Sequence, residues 1–501
     1  MPRARLIILS SALWGFAAHG YMFFNKFSFH DDVRLPFHIG ATVTSGRWFL
    51  EVLKWFSEKC LGGLFSLPLF NGLLSLFFVA LSACLIADLL NIHRKSSCIC
   101  LAGVMVTFPA FTSTLGYMYT SPFYMIGLLF AVAGSYMICK HEHRFSLLIG
   151  CILSACAIGI YQAGLPMILS LMLMYTIYRL DVQGAEFRYW YEGFRLAGAL
   201  ILTLVIYIVM NHVCLHFTDA VLSDYESINT YGFEGWGEYL HRLKAAYSEF
   251  FIAPHGKMRN MFPQPPIEIL HIAIVSFGIS LAAARAVHLG TRKFAGVKFI
   301  LLILLFPLAA NFAYIMVDTH LTHSLMMYSR VSVFILFIML LESSLNGMQI
   351  PRVVFKVGIA AVACIALFYC RFANICYFKA EFQQSQAISY FTRLVSHIES
   401  IDGYSPEFPV AFLNERKKQG FSAPAIPEFD EIRLLPYYFT DSNLMINNYA
   451  WKDFMRMWCG YAPIVIENTE RIQKTPEALS MPRYPADGSI RVIDGTVVVK
   501  F

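Results

Sequence analysis

The sequence predicts an α-helical polytopic membrane protein with about eleven transmembrane helices, followed by a small C-terminal α/β domain. Three observations carry that prediction. Hydrophobic residues make up 57% of the 501 and charged residues only 14%, against about 25% charged in an ordinary soluble domain; the mean hydropathy is +0.55. Apolar runs recur from residue 6 to residue 376, each long enough to approach the roughly 20 residues that cross a bilayer core. Short basic turns alternate with acidic or aromatic loops between those runs. The formal charge of +6 gathers in the basic turns, so it is a topology signal and gives no reason to expect nucleic acid.

The first run, 6–24, follows Met1-Pro2-Arg3-Ala4-Arg5. It resembles a signal peptide, but no small-x-small cleavage site precedes the next loop, so it is expected to stay as the first span. The outer loop 25–63 holds Phe29-His30-Asp31-Asp32-Val33-Arg34. Two adjacent carboxylates with a His and an Arg beside them are costly to desolvate without a partner. A cation, a phosphate or a sugar hydroxyl would satisfy them; the alternative is a solvated polar loop. Later in the same loop Arg47, Glu51, Lys54 and Glu58 fall on one helical face, with Arg47–Glu51 and Lys54–Glu58 as opposite charges four apart. Trp48 and Trp55 suit the headgroup region.

Further spans are expected at 64–90, 97–115 and 121–139. The apolar stretch 145–180 is twice a span's length and is split at Tyr161-Gln162-Ala163-Gly164, since Gln and Gly-x-Pro mark a turn. Spans at 196–216, 267–287, 299–317, 331–346 and 353–376 complete the set, with polar outer segments at 217–266 and 318–330. Arg3/Arg5, Arg94/Lys95, Lys140/Arg144, the 179–195 loop, Arg292/Lys293 and Arg352/Lys356 fall on one side, which the positive-inside rule makes cytoplasmic. The expected domains are therefore a membrane domain, 1–376, and an extracytoplasmic α/β domain, 377–501. In the latter, a helix is expected over 379–401 and another over 442–459, with strands at 409–413 and 463–466. Asp494-Gly495 between β-branched runs signals a closing hairpin.

Charges inside the spans are few. Asp88 and Glu342 sit near cytoplasmic ends, where snorkelling explains them, and His19 is expected to be a satisfied core histidine. Most of the twelve Cys fall in apolar runs and act as small apolar residues; Cys60 and Cys459 could be free or paired. Polar groups gather instead at the outer surface. Arg47 follows Ser45-Gly46 and can sit at a helix N-terminus, a place suited to anions. Arg330 is a lone cation at a span start, either a phosphate binder or a headgroup anchor. Tyr161-Gln162 interrupt an apolar run, and Gln162 either forms the turn or bonds a sugar hydroxyl. Glu234 and Glu238 are read as a solvated helical face.

Four stretches together resemble the bacterial glucosyltransferase II family, polytopic enzymes that decorate O-antigen, the outer part of lipopolysaccharide in the cell envelope. They are Asp31-Asp32 followed by Ser45-Gly46-Arg47-Trp48; Gly159-Ile160-Tyr161-Gln162-Ala163; Tyr328-Ser329-Arg330; and the tail from Met481-Pro482-Arg483-Tyr484-Pro485 to Ile493-Asp494-Gly495. The resemblance implies a GT-C architecture in the bacterial cytoplasmic (inner) membrane. It implies a polyprenyl-phosphate sugar donor, glucose by the family's name, a surface-glycan acceptor, and a flippase and a donor synthase as partners. It also implies a catalytic acidic residue in the first outer loop, here Asp31 or Asp32. Adjacent side chains of an extended loop point to opposite sides, so one acts as general base. The other orients His30 or an Arg, or holds a divalent cation; Asp31 is the preferred base. His30, Arg34, Arg47, Tyr161, Gln162 and Arg330 are the candidate substrate-binding residues. The competing readings are a transporter or flippase of lipid-linked glycans and a non-catalytic glycan-assembly protein.

Overall fold

The computed structural model describes residues 2–27, 32, 39–141, 143–223, 235–251, 265–290, 292–317, 322, 324–342, 350–413 and 451–501. His30, Asp31, Arg34 and Glu234 lie outside the described residues. The chain divides into two compact units. One comprises Met1–Asn25 and Phe37–Asn374, the other Lys26–Pro36 and Ile375–Phe501.

Among the described residues, the regular elements of the first unit are all helices. Its elements are α1 (Pro2–Phe24), α2 (Trp48–Cys60), α3 (Pro68–Leu89), α4 (Lys95–Thr107), α5 (Pro109–Leu115), α6 (Ser121–Lys140), α7 (Ser146–Ile160) and α8 (Gly164–Gln183). They continue with α9 (Tyr189–Thr218), α10 (Trp236–Phe251), α11 (Pro265–Leu289), α12 (Ala295–Ala310), α13 (Ala313–Met316), α14 (Ser332–Glu342) and α15 (Arg352–Glu399), whose residues from Ile375 onward belong to the second unit. Among the described residues, eight helices are long and apolar enough to cross a membrane: α1, α3, α6, α8, α9, α11, α14 with the 3-10 turn before it, and α15. The pair α4–α5 makes a ninth only if its 45° bend belongs to one span, and α7 and α12 are apolar but shorter.

The breaks have local causes. Phe108 takes an extended conformation before Pro109, because proline disfavours the helical region for the residue preceding it. The predicted span 97–115 is thereby bent in two. The predicted split of 145–180 falls between α7 and α8, where Tyr161 is extended. Burial then sorts the helices. Every residue of α14 is buried, whereas only 17% of the apolar window of α9 is buried. So α14 is interior, and α9 offers its apolar surface to the surroundings.

At one end of the helices, ion pairs tie their termini together. Asp88, closing α3, accepts from Lys140 Nζ at 2.5 Å and Tyr136 Oη at 2.8 Å, both on α6, and pairs with Arg3 of α1. Glu342, closing α14, accepts the backbone N–H of Arg94 at 2.8 Å, an anion at the N-terminus of α4 where the helix dipole favours it. Arg285 of α11 pairs with Asp181 of α8 at 2.9 Å and donates to the Leu340 carbonyl at 3.0 Å. Asp88 and Glu342 are thus held by protein partners, and snorkelling is not needed to explain them. His19 is satisfied as expected, with Nε2 2.7 Å from the Val106 carbonyl.

Three expectations for the helical part are corrected. The span at 353–376 and the helix at 379–401 are one helix, α15; nothing between them breaks the helical backbone. In the 217–266 segment Glu238 lies on a helix, α10, and is partly exposed, in keeping with its reading as a helical face, and pairs with Arg242 Nε at 3.0 Å; what departs from a polar outer segment is Glu249 of the same helix, which is buried. The 318–330 segment includes a buried 3-10 turn, Ser324–Val331.

The second unit carries a three-stranded sheet in the order β1-β3-β2: β1 (Val410–Leu413), β2 (Ile490–Ile493) and β3 (Thr496–Lys500). Strand β1 is parallel to β3, with Val410 opposite Val497; β2 is antiparallel to β3, with Ile490 opposite Val499. The hairpin turns on Asp494 (φ +47°) and Gly495 (φ +71°), the two positive φ values of a type I′ turn. Ala411, Leu413, Ala478, Met481 and Val498 form its core. The expected strand at 463–466 is only a single bridge from Val465 to Val410. Short helices α16 (Trp451–Cys459), α17 (Glu470–Gln473) and α18 (Pro476–Ser480) complete the described part.

Candidate active site

Two of the stretches singled out in the sequence meet in the first unit. The chain enters through a tight turn in which the Thr42 carbonyl accepts the N–H of Ser45 (3.1 Å) and of Arg47 (2.9 Å). Gly46 closes it at φ +72°, and a Cβ there would lie 2.9 Å from both Gln162 Nε2 and Tyr207 Oη. Arg47 is the N-cap of α2, and Trp48 begins the helix. The Trp48 ring lies against Gly159, where a Cβ would come within 2.6 Å of it. So a glycine is required on α7 for α2 to approach this closely.

The Arg47 side chain does not pair with Glu51 along the helix, as the four-residue spacing predicted. Arg47 precedes the first helical residue, so its side chain leaves that face. Its guanidinium lies over the Tyr161 ring, 5.0 Å from the centroid, and Nη1 donates to Tyr124 Oη at 3.4 Å. The rings of Tyr124 and Tyr161 stack at 4.8 Å and 16°. Glu51 is taken instead by Lys54 Nζ at 3.1 Å and Thr42 Oγ1 at 2.5 Å.

Beside this stack lies a small cleft of about 40 Å³, lined among others by Thr114, Tyr124, Tyr161, Leu325, Tyr328 and Ser329. A second, of about 20 Å³, shares Tyr161 and Ala163 and adds Gln162 and Met326. The structure therefore brings Tyr161, Arg47 and the Tyr328-Ser329 stretch to one place. The lining hydroxyls of Thr114, Tyr328 and Ser329 donate to the backbone carbonyls of Ala110, Met105 and Ala310. What remains, a cation beside aromatic rings, is chemistry suited to a sugar joined to a phosphate, since rings take apolar sugar surface and a guanidinium takes phosphate oxygens.

The other expected residues have different placements. Gln162 is buried and donates from Nε2 to the Ser45 carbonyl at 2.7 Å, so that group is committed to the turn. Arg330 is only 1% exposed and so is no headgroup anchor. Its Nη2 donates to the Glu249 carbonyl at 2.5 Å, in the last turn of α10, where a positive charge complements the helix dipole. Tyr314 Oη donates to the Glu249 carboxylate. Asp32 belongs to the second unit, is 1% exposed, and forms an ion pair with Lys26. Lys26 was missed by sequence reasoning, and its only signal was a lone cation five residues before an acidic pair. Tyr207 was missed too, since a tyrosine inside an apolar run reads as lipid-facing. Cys60 and Cys459 are free thiols. Among the described residues no group of three or more His, Cys, Asp or Glu is placed to hold a metal ion.

A family model described as glucosyl transferase GtrII matches residues 20–341. The match runs from the end of α1 almost to the end of α14 and takes in Asp31, Asp32, both interlocking stretches and Arg330. No curated protein and no solved structure matches the chain. With well over half of its length matched, this helical membrane protein belongs to the glucosyl transferase GtrII family and is a glucosyltransferase.

Proposed function

We propose that the protein moves glucose from a polyprenyl-phosphate donor to a surface glycan such as O-antigen at the outer face of the bacterial cytoplasmic membrane. The observation that most supports a phosphate-linked sugar is Arg47, held over the ring of Tyr161, a residue that lines a small cleft together with Tyr124, Tyr328 and Ser329. A carboxylate of the first outer loop takes the proton of the acceptor hydroxyl as its oxygen bonds to the sugar C1. The C1–O bond to phosphate breaks, and its electron pair leaves with the polyprenyl phosphate. Arg47 stabilises the charge that grows there. Asp32, buried against Lys26, suits a positioning part, and Asp31 is assigned as the base.

Membrane vesicles carrying the full chain, given polyprenyl-phosphate glucose labelled in the sugar and a glycan acceptor, test this reading. Label should move to the glycan. Asp31→Asn should lower transfer about 100- to 10,000-fold, the usual contribution of a positioned base, with membrane insertion unchanged. If both Asp31→Asn and Asp32→Asn keep near-native turnover, the catalytic assignment is wrong. Label that crosses the membrane without joining the glycan would favour a flippase.

A further inference from the structure

Three consecutive backbone carbonyls before Arg47 are each held by a different group. The Thr44 carbonyl accepts from the Ser223 N–H at 2.8 Å and from Ser223 Oγ at 3.2 Å. The Ser45 carbonyl accepts from Gln162 Nε2 at 2.7 Å, and the Gly46 carbonyl from Tyr207 Oη at 3.1 Å. Gln162 Nε2 and Tyr207 Oη are themselves 3.5 Å apart. A turn at the end of a helical bundle ordinarily leaves such carbonyls to water. Here they are bound by α9, by the residues that follow it, and by the break between α7 and α8.

The Gly46 carbonyl matters most. The peptide unit joining Gly46 to Arg47 is planar, so fixing that oxygen fixes the plane that carries the Arg47 N–H. The same N–H donates to the Thr42 carbonyl at 2.9 Å. Both polar ends of the peptide unit are pinned, and Gly46 leaves no room for a Cβ that would shift it. Arg47 therefore leaves the turn in a set direction, toward the ring of Tyr161, the residue next to Gln162. A catalytic group displaced by about 1 Å can lose about 100-fold in rate.

We infer that Tyr207 is a positioning residue for Arg47, acting through the Gly46 carbonyl, with Gln162 as its companion on Ser45. The inference rests on the reading of Arg47 as the cation that meets the donor phosphate. Tyr207→Phe removes the hydroxyl and keeps the ring. In vesicles with polyprenyl-phosphate glucose it should lower kcat and kcat/KM together by about tenfold, because a transition-state contact is weakened. In an Arg47→Lys background, where the bidentate fork is already gone, Tyr207→Phe should change turnover less than twofold. Equal losses in both backgrounds, or no loss in the native one, overturn the inference and leave Arg47's own role standing. If Arg47→Lys alone keeps full activity, the reading of Arg47 fails, and the inference with it. Gln162→Leu must show the same dependence on Arg47, which keeps the test decisive should Tyr207→Phe fail to accumulate in the membrane.

Discussion

Asp181→Leu should destabilise the protein more than the double change Asp181→Leu with Arg285→Met. Asp181 and Arg285 join α8 to α11 at 2.9 Å, with side chains only 4% and 1% exposed, and Arg285 also holds the Leu340 carbonyl of α14. Two unit charges about 4 Å apart attract by about 4 kcal/mol at an effective dielectric of about 20. Removing one partner forfeits that attraction and leaves the other charge desolvated, for a total of about 3–5 kcal/mol. Removing both deletes the desolvation cost as well, and such double replacements are often neutral. Unfolding of the full chain in detergent, followed by heat or denaturant, gives the comparison. The single variant should melt several degrees below native and the double variant should recover most of the difference. A single variant at least as stable as the double one would refute the claim that this pair is both buried and coupled. Turnover per folded molecule should hold, because the pair lies at the helix ends away from Tyr161.

Two further outcomes follow from the same structure. Gly159→Val places atoms where the Trp48 ring lies; it should cost about 1–3 kcal/mol of stability and lower transfer, and Trp48→Leu in the same chain should restore stability, whereas a neutral Gly159→Val would contradict the contact. Reporter fusions after Lys95 and after Phe501 should read cytoplasmic and extracytoplasmic respectively, as the basic turns predict, and a cytoplasmic signal at Phe501 would mean that one apolar segment, α7 or α12 first among them, does not cross.

What was legible in the sequence was whatever depends on neighbours along the chain. Span positions such as 121–139, the split at Tyr161-Gln162 and the Asp494-Gly495 hairpin follow from run length, turn residues and β-branching, all local signals. Contacts across the chain were not legible. The four-residue rule assigned Arg47 to Glu51, but the rule holds only inside a helix, and Arg47 sits one residue before it. Asp88 and Glu342 were expected to reach for the interface, because nothing local names Lys140 or Arg94 as partners. The burial of Glu249 on α10 was not legible, because it depends on Tyr314 and Arg330 far along the chain, and the bridge at Val465 was overread because an apolar β-branched run of three residues suits a strand or a lone contact equally.

The chemistry-poor residues of the two interlocking stretches explain why those stretches go together. By itself, Ser45-Gly46-Arg47-Trp48 is a turn with carbonyls directed away from its own backbone and a large ring that needs a flat surface. By itself, Gly159-Ile160-Tyr161-Gln162-Ala163 is a helix end with a bare backbone patch, an exposed aromatic face and a buried amide donor. Gln162 meets Ser45 across 117 positions of sequence, Gly159 accepts Trp48, and Tyr161 receives Arg47. Three separate contacts in one register fix the approach of α2 to α7 more tightly than any of them could alone, since each removes a different direction of sliding. The distance between the Arg47 cation and the Tyr161 ring is therefore set by residues that do no chemistry. A change at Gly46, Gly159 or Gln162 should reach the reaction only through that distance.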